Sequence, residues 1–210
     1  MDKTNSIELI LKEGSLKFLQ TYPVILPVYT LVISLLLNNM QWLLFACWSL
    51  ASLLSAPLWK FIFKGIYKLT GKKSLPLLGH GTRPSGAFDC WGFTYCSTCL
   101  ADDIAYGMPS GHSLFAWMVS TYLILYLRKT EYDDKLEGPA LSSFIPKVIC
   151  LIILAFAVSS SRYIAGCHTI PQLIVGGLIG AGMGVMFYYV MKEVKIKGKN
   201  LFEKKKIYKQ

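Results

Sequence analysis

The chain has 210 residues and a formal net charge of +10, yet 53% of its residues are hydrophobic and only 16% are charged. With a mean hydropathy of +0.44, that balance excludes an ordinary soluble domain and fits an integral membrane protein. No charged residue occurs from Phe18 to Trp59, a run of 42 residues, long enough for two membrane spans of about 20 residues each and too long for the apolar part of a signal peptide. Asn38, Asn39 and Gln41 mark the expected break. Pro23, Pro27 and Pro57 are tolerable within membrane helices. Residues 1–17 form a polar N-terminal segment, and an interfacial helix near Ile7–Leu19 is a candidate sixth element.

Three more apolar segments follow. In Gly111–Leu127, His112 is the one group that takes up charge near neutrality. Val148–Ser161 is short, and its helix can extend to Arg162. Thr169–Met191 carries no charge. The expectation is an all-α bundle of five to six transmembrane helices, with residues 18–191 in the membrane and a polar site at one face. Gly176, Gly180 and Gly184 recur every four residues and read as close helix packing, within the chain or between two copies. Phe187, Tyr188 and Tyr189 fit an interfacial belt. Cys47 and Cys150 read as packing within spans.

The positive charge gathers in residues 192–210, with Lys192, Lys195, Lys197, Lys199, Lys204, Lys205, Lys206 and Lys209. Such a tail could bind nucleic acid. Directly after a membrane span it reads instead as a cytoplasmic segment against anionic lipid, so no nucleic-acid partner is expected. Five spans then bring loops 64–110 and 162–170 to the opposite face, although several lysines in loop 64–110 run against the charge rule.

The three histidines, His80, His112 and His168, all fall in or at the edge of polar islands on that face. The islands are "GHGTRPSGAFDC" (Gly79–Cys90), "GMPSGHS" (Gly107–Ser113) and "SRYIAGCHTIPQ" (Ser161–Gln172). One such island could be a mere interface loop, but topology collects all three. Arg83 and Arg162 are permanent cations suited to phosphate oxygens. "PSGH" sits where a loop enters a helix, so the N–H groups of Ser110, Gly111 and His112 favour an anion, and Gly111 permits close approach. Of two imidazoles, one can attack phosphorus while the other protonates the leaving oxygen. Asp89, Asp102 and Asp103 offer a competing metal site, but the spacing matches no standard zinc or two-metal pattern. No metal or other cofactor is expected.

"PSGH" at 109–112 and "SR-x5-H" at 161–168 resemble the second and third signature motifs of the type 2 phosphatidic acid phosphatase superfamily, and "RP" at 83–84 resembles the end of its first motif. The resemblance covers roughly residues 70–190. It implies His168 as nucleophile, forming a phosphohistidine, and His112 as general acid. It also implies that Arg83, Ser110, Gly111 and Arg162 hold the phosphate oxygens. Two positions depart from the pattern. A lysine is usual seven positions before the arginine, where this chain has Pro76; Lys72, Lys73 or His80 are candidates for the missing charge. An aspartate is usual four positions after the nucleophile, where this chain has Gln172. Glutamine can accept from the far ring N–H of His168 but offers no charge to an imidazolium. "YGMPSGHS" with "SR-x5-HT-x2-Q-x4-GG" looks most like the dolichyl-diphosphatase branch, which implies a polyprenyl diphosphate substrate and a lumenal site at the endoplasmic reticulum membrane. Phosphatidate hydrolysis, lipid phosphotransfer and non-catalytic lipid binding are the rival functions. Among Cys90, Cys96 and Cys99 the alternatives are one disulfide on an oxidising face, with one thiol left over, and reduced, structural cysteines; Cys167 is a weak candidate for a catalytic thiol.

Overall fold

The computed structural model describes residues 3–85, 87, 90, 106–129 and 140–207. Among them it forms five helices, α1 (Lys3–Leu36), α2 (Met40–Thr70), α3 (Gly111–Leu127), α4 (Ala140–Ile164) and α5 (Ile170–Ile207). A two-residue hairpin, β1 (Ser74–Leu75) with β2 (Gly79–His80), follows α2; Ser74 faces His80 and Leu75 faces Gly79. Four helical segments are long and apolar enough to cross a membrane, namely Lys17–Leu36, Met40–Thr70, Ser143–Ile164 and Ile170–Glu193. The fifth, α3, has 17 residues and a length of about 26 Å, close to the roughly 30 Å hydrocarbon thickness. The protein is an all-α, multi-pass membrane protein.

The expected break at Asn38–Gln41 follows from local chemistry. The side-chain oxygen of Asn39 accepts from the N–H of Gln41 at 2.9 Å and of Trp42 at 3.4 Å, capping α2. The interfacial helix expected near Ile7–Leu19 is not a separate element, because α1 runs unbroken from Lys3. Gly14 is the weakest helix former in that stretch, and a single glycine costs only about 1 kcal/mol.

Helices α3 and α5 run in parallel and share the closest contact. A Cβ on Gly176 would meet the Ser110 carbonyl at 2.5 Å and one on Gly184 the Met118 carbonyl at 2.6 Å, while one on Gly180 would overlap the Leu114 carbonyl. The four-residue glycine period thus matches the period of one α3 face, and the stripe is consumed inside the molecule. Phe187 departs from its expected place in an interfacial belt. It is 2% exposed and stacks on Trp48 at 4.9 Å, within a core that includes Phe45, Phe115, Met118 and Tyr122. Only Tyr189 of the trio is well exposed. Cys47 and Cys150, expected in packing positions, instead face outward; an apolar thiol is as compatible with lipid as with a core.

Helix ends position the polar islands. Gly71, at φ 66°, closes α2 and returns its N–H to the Lys68 carbonyl. The Arg162 carbonyl accepts from the N–H groups of Cys167 at 3.0 Å and His168 at 3.3 Å, with Gly166 at φ 67° between them. The chain therefore leaves α4 and enters α5 within a few residues, and His168 is fixed at the turn.

Candidate active site

Three short links tie the islands together at one end of the bundle. The Gly81 carbonyl accepts from the N–H of Gly107 at 2.9 Å and of Met108 at 3.2 Å. Thr82 and Tyr106 form a bridge. The Ser110 N–H donates to the Gln172 carbonyl at 3.0 Å. Residues brought together this way line a cavity of about 50 Å³ whose walls include Lys60, Arg83, Gly111, His112 and His168.

Gln172 determines how His168 presents its ring. The Gln172 side chain is fully buried. Its Nε2 donates to the backbone carbonyls of His80 at 3.0 Å and Thr82 at 2.7 Å. Both partners can only accept, so the amide must point its NH₂ group that way and its Oε1 toward His168. Oε1 lies 3.1 Å from His168 Nδ1 and also accepts from the Thr169 N–H at 3.3 Å. Nδ1 therefore carries the proton and donates, which leaves the lone pair of His168 on Nε2. Gly107 makes room for this arrangement, since a Cβ there would lie 2.5 Å from Gln172 Oε1. Burial holds the His168 imidazolium well below its ordinary range, and the Arg83 charge adds to the effect. The Gln172 hydrogen bond opposes it; Lys60 and Arg162 lower it further. His168 is a neutral imidazole near pH 7.

His112 is held by a helix that the motifs do not include. Its Nε2 lies 2.9 Å from the Gln20 carbonyl on α1, so Nε2–H donates there and Nδ1 is the remaining nitrogen. Arg83 lines the cavity, and its Nε and Nη1 have no hydrogen-bond partner among the described residues. Arg162 is fully buried and donates from Nη2 to the Cys90 carbonyl at 2.6 Å. Cys90 itself lines the cavity. A disulfide joins Cys90 to Cys167. This takes Cys90 out of the expected pairing among Cys90, Cys96 and Cys99, and it engages the Cys167 sulfur considered as a catalytic thiol. Cys96 and Cys99 lie outside the described residues. The cause is tertiary: the residue before His168 and the segment after Arg83 meet at the same cavity, 77 positions apart.

Other expected contributors take different places. The His80 ring is exposed, and its role here is the backbone carbonyl offered to Gln172. Ser110 caps α3, accepting at Oγ from the Ser113 N–H at 3.5 Å, while its own N–H is engaged by the Gln172 carbonyl. Of the three amides expected to face an anion, that of Ser110 is thus already spent. Lys72 and Lys73 are exposed and are not among the described lining residues. The lysine that does line the cavity is Lys60, on α2. Sequence spacing alone gave no sign of it; its place as the first charge after the long apolar run was the available signal. Among the described residues no cluster of three His, Cys, Asp or Glu could hold a metal. Asp89, Asp102 and Asp103 lie outside them.

Residues 45–196 match the PAP2 superfamily, and the chain belongs to that family. It is 38% identical over 96 residues to "Dolichyldiphosphatase 1" of Homo sapiens, a match covering 42% of this chain and 38% of the relative. It is 33% identical over 95 residues to the "Palmitoyl-protein thioesterase-dolichyl pyrophosphate phosphatase fusion 1" of Schizosaccharomyces pombe, covering 45% of this chain and 15% of that protein. It is 33% identical over 89 residues to the "Dolichyldiphosphatase" of Saccharomyces cerevisiae, covering 41% and 34%. The match thus spans well under half the length of these relatives. No solved structure matches the chain.

Proposed function

We propose that the chain is a membrane lipid phosphatase that hydrolyses a polyprenyl diphosphate, without metal, through a phosphohistidine on His168. One observation carries this reading: a neutral His168, with its lone pair on Nε2, lines the same cavity as His112 and the cations Lys60 and Arg83. Nε2 attacks the terminal phosphorus, and the bond to the bridging oxygen breaks. His112, protonated on Nδ1 in the complex with the anionic substrate while Nε2–H stays on the Gln20 carbonyl, delivers the Nδ1 proton to that oxygen, and the lipid monophosphate leaves. Water, deprotonated by His112, then attacks the phosphohistidine and releases phosphate. Arg83, the Gly111 amide and the buried Arg162 charge stabilise the oxygens of the five-coordinate transition state. The names of the relatives direct the choice of a dolichyl diphosphate over phosphatidate.

The described cavity walls carry cations and no carboxylate, so positive charge at phosphate comes from side chains. Hydrolysis of dolichyl diphosphate by the purified full chain should therefore survive EDTA. Loss of activity on chelation, restored by one divalent ion, would overturn the metal-free mechanism. An absence of hydrolysis with dolichyl diphosphate, phosphatidate and a generic phosphate ester would overturn the enzymatic reading altogether.

The site is assigned to the lumenal face of the endoplasmic reticulum membrane, opposite the lysine-rich tail. The Cys90–Cys167 disulfide at the site supports an oxidising compartment. A cysteine introduced at Ser85, which is exposed, should react with an impermeant thiol reagent from the lumenal side in a background lacking Cys47, Cys96, Cys99 and Cys150. Labelling from the cytoplasmic side alone would reverse this topology.

A further inference from the structure

Lys60 lines two adjoining spaces. One is the cavity of about 50 Å³ with His112 and His168; the other, of about 290 Å³, is walled by Pro57, Phe61, Lys64 and Tyr106 as well. A buried water needs roughly 10–15 Å³ by the same measure. The smaller cavity thus accepts about four oxygen-sized atoms, which is one phosphoryl group and not two. A diphosphate that seats its terminal phosphate beside His168 must place the other phosphate outside.

The larger pocket has the chemistry for it. Lys60 and Lys64 are four residues apart on α2 and so project from one helix face. Each is a compact ammonium with three donors. The Tyr106 hydroxyl is buried and has no hydrogen-bond partner among the described residues, a condition that disfavours the empty state. Tyr106 packs edge-on against Tyr67 with ring centroids 6.1 Å apart, so the ring is placed rather than free to turn away. The described walls of this pocket carry no Asp or Glu.

We propose, resting on the phosphatase reading, that this pocket is the subsite for the second, lipid-bearing phosphate of a diphosphate. Lys60 lies between the two phosphates and supplies the cation missing at Pro76. Lys64 and Tyr106 hold the second phosphate alone. In the transfer step the terminal phosphorus forms its bond to His168 Nε2 while its bond to the bridging oxygen breaks. That oxygen departs on the lipid monophosphate, taking its proton from His112. Lys60, Lys64 and Tyr106 hold this leaving group, and so favour diphosphates over monophosphates.

The test uses the full chain in detergent with two readouts. The first is kcat/KM for a prenyl diphosphate and for the monophosphate of the same chain length. The second is calorimetric binding of inorganic pyrophosphate and inorganic phosphate. Tyr106→Phe should shift the diphosphate-to-monophosphate preference by about tenfold toward the monophosphate, the scale of one hydrogen bond to a charged group. Lys64→Gln, at a more exposed position, should shift it by about fivefold. Lys60→Gln should weaken both substrates, with recovery in Lys60→Arg. Pyrophosphate should bind wild type at least about tenfold tighter than phosphate, and each of the first two variants should narrow that ratio. Equal losses on both substrates in Tyr106→Phe and Lys64→Gln, or equal binding of the two anions by wild type, would overturn the subsite. Hydrolysis without any pyrophosphate advantage leaves the phosphatase reading standing and removes this one. A pyrophosphate advantage without hydrolysis does the reverse.

Discussion

His168→Ala is expected to abolish turnover. The ring of His168 is 3% exposed and lines the same cavity as Arg83 and His112, so no second imidazole is positioned to take its place without displacing the general acid. Loss of a covalent nucleophile in comparable enzymes costs on the order of 10⁴-fold or more in kcat, equivalent to about 5.5 kcal/mol of barrier. Single-turnover measurement with a terminally labelled diphosphate reads this directly. Wild type should accumulate phosphate on the protein, labile to acid and stable to alkali, and His168→Ala should accumulate none. Folding is followed by helical content and by retained pyrophosphate binding, because Arg83 and Lys60 remain in the variant. Activity within about tenfold of wild type in a folded His168→Ala protein would be incompatible with nucleophilic catalysis.

The contribution of each part of the chain was legible to a different degree, and the reason lies in sequence distance. Helix α3 runs from Gly111 to Leu127, the same bounds that its apolar run suggested, because the serine cap and a continuous apolar stretch are both local signals. The pairing of Gln172 with His168 was also legible, since a four-residue spacing at a helix start brings side chains into reach. The glycine stripe left open whether the partner was α3 or a second copy, and only the three-dimensional register with Ser110, Leu114 and Met118 decides it. Lys60, the Gln20 carbonyl and the Cys90–Cys167 disulfide were not legible. Each joins elements far apart in the chain, and none carries a local pattern that distinguishes it from an interfacial lysine, a helix backbone group or a loop cysteine. The wrong expectations for Phe187 and Cys47 share one cause. Composition shows that a residue lies within a span, but not which side of the helix faces lipid.

Gln172→Leu should lower kcat on the order of 10²-fold or more, reasoning from the loss seen when the orienting partner of a catalytic histidine is altered. Leucine is close in volume, so the buried space stays filled. What it removes is the acceptor for His168 Nδ1–H, now at 3.1 Å, and the donor to the His80 and Thr82 carbonyls. Without the acceptor the imidazole is free to carry its proton on Nε2, which is the nitrogen that must attack. The unmet carbonyls should also cost stability, about 1–3 kcal/mol for each one left without water, so thermal unfolding has to be measured beside the kinetics. Gln172→Asp separates orientation from charge. It keeps an acceptor oxygen, one methylene further back, and places a carboxylate next to the ring. Wild-type His168 is held well below the ordinary imidazole value of 6.5, first by burial and then by the Arg83 charge. The neutral ring is the nucleophile, so the acid limb of kcat/KM should fall below that value and activity should be lost only as pH drops through the limb. A nearby carboxylate favours the imidazolium, so in Gln172→Asp the limb should move to higher pH, while substantial activity remains above it. A leucine variant that folds normally and matches wild-type kcat would show that Gln172 does not govern His168. An aspartate variant whose limb stays in place would show that the shorter carboxylate does not reach the ring, and would leave the test of the wild-type hydrogen bond to the leucine variant.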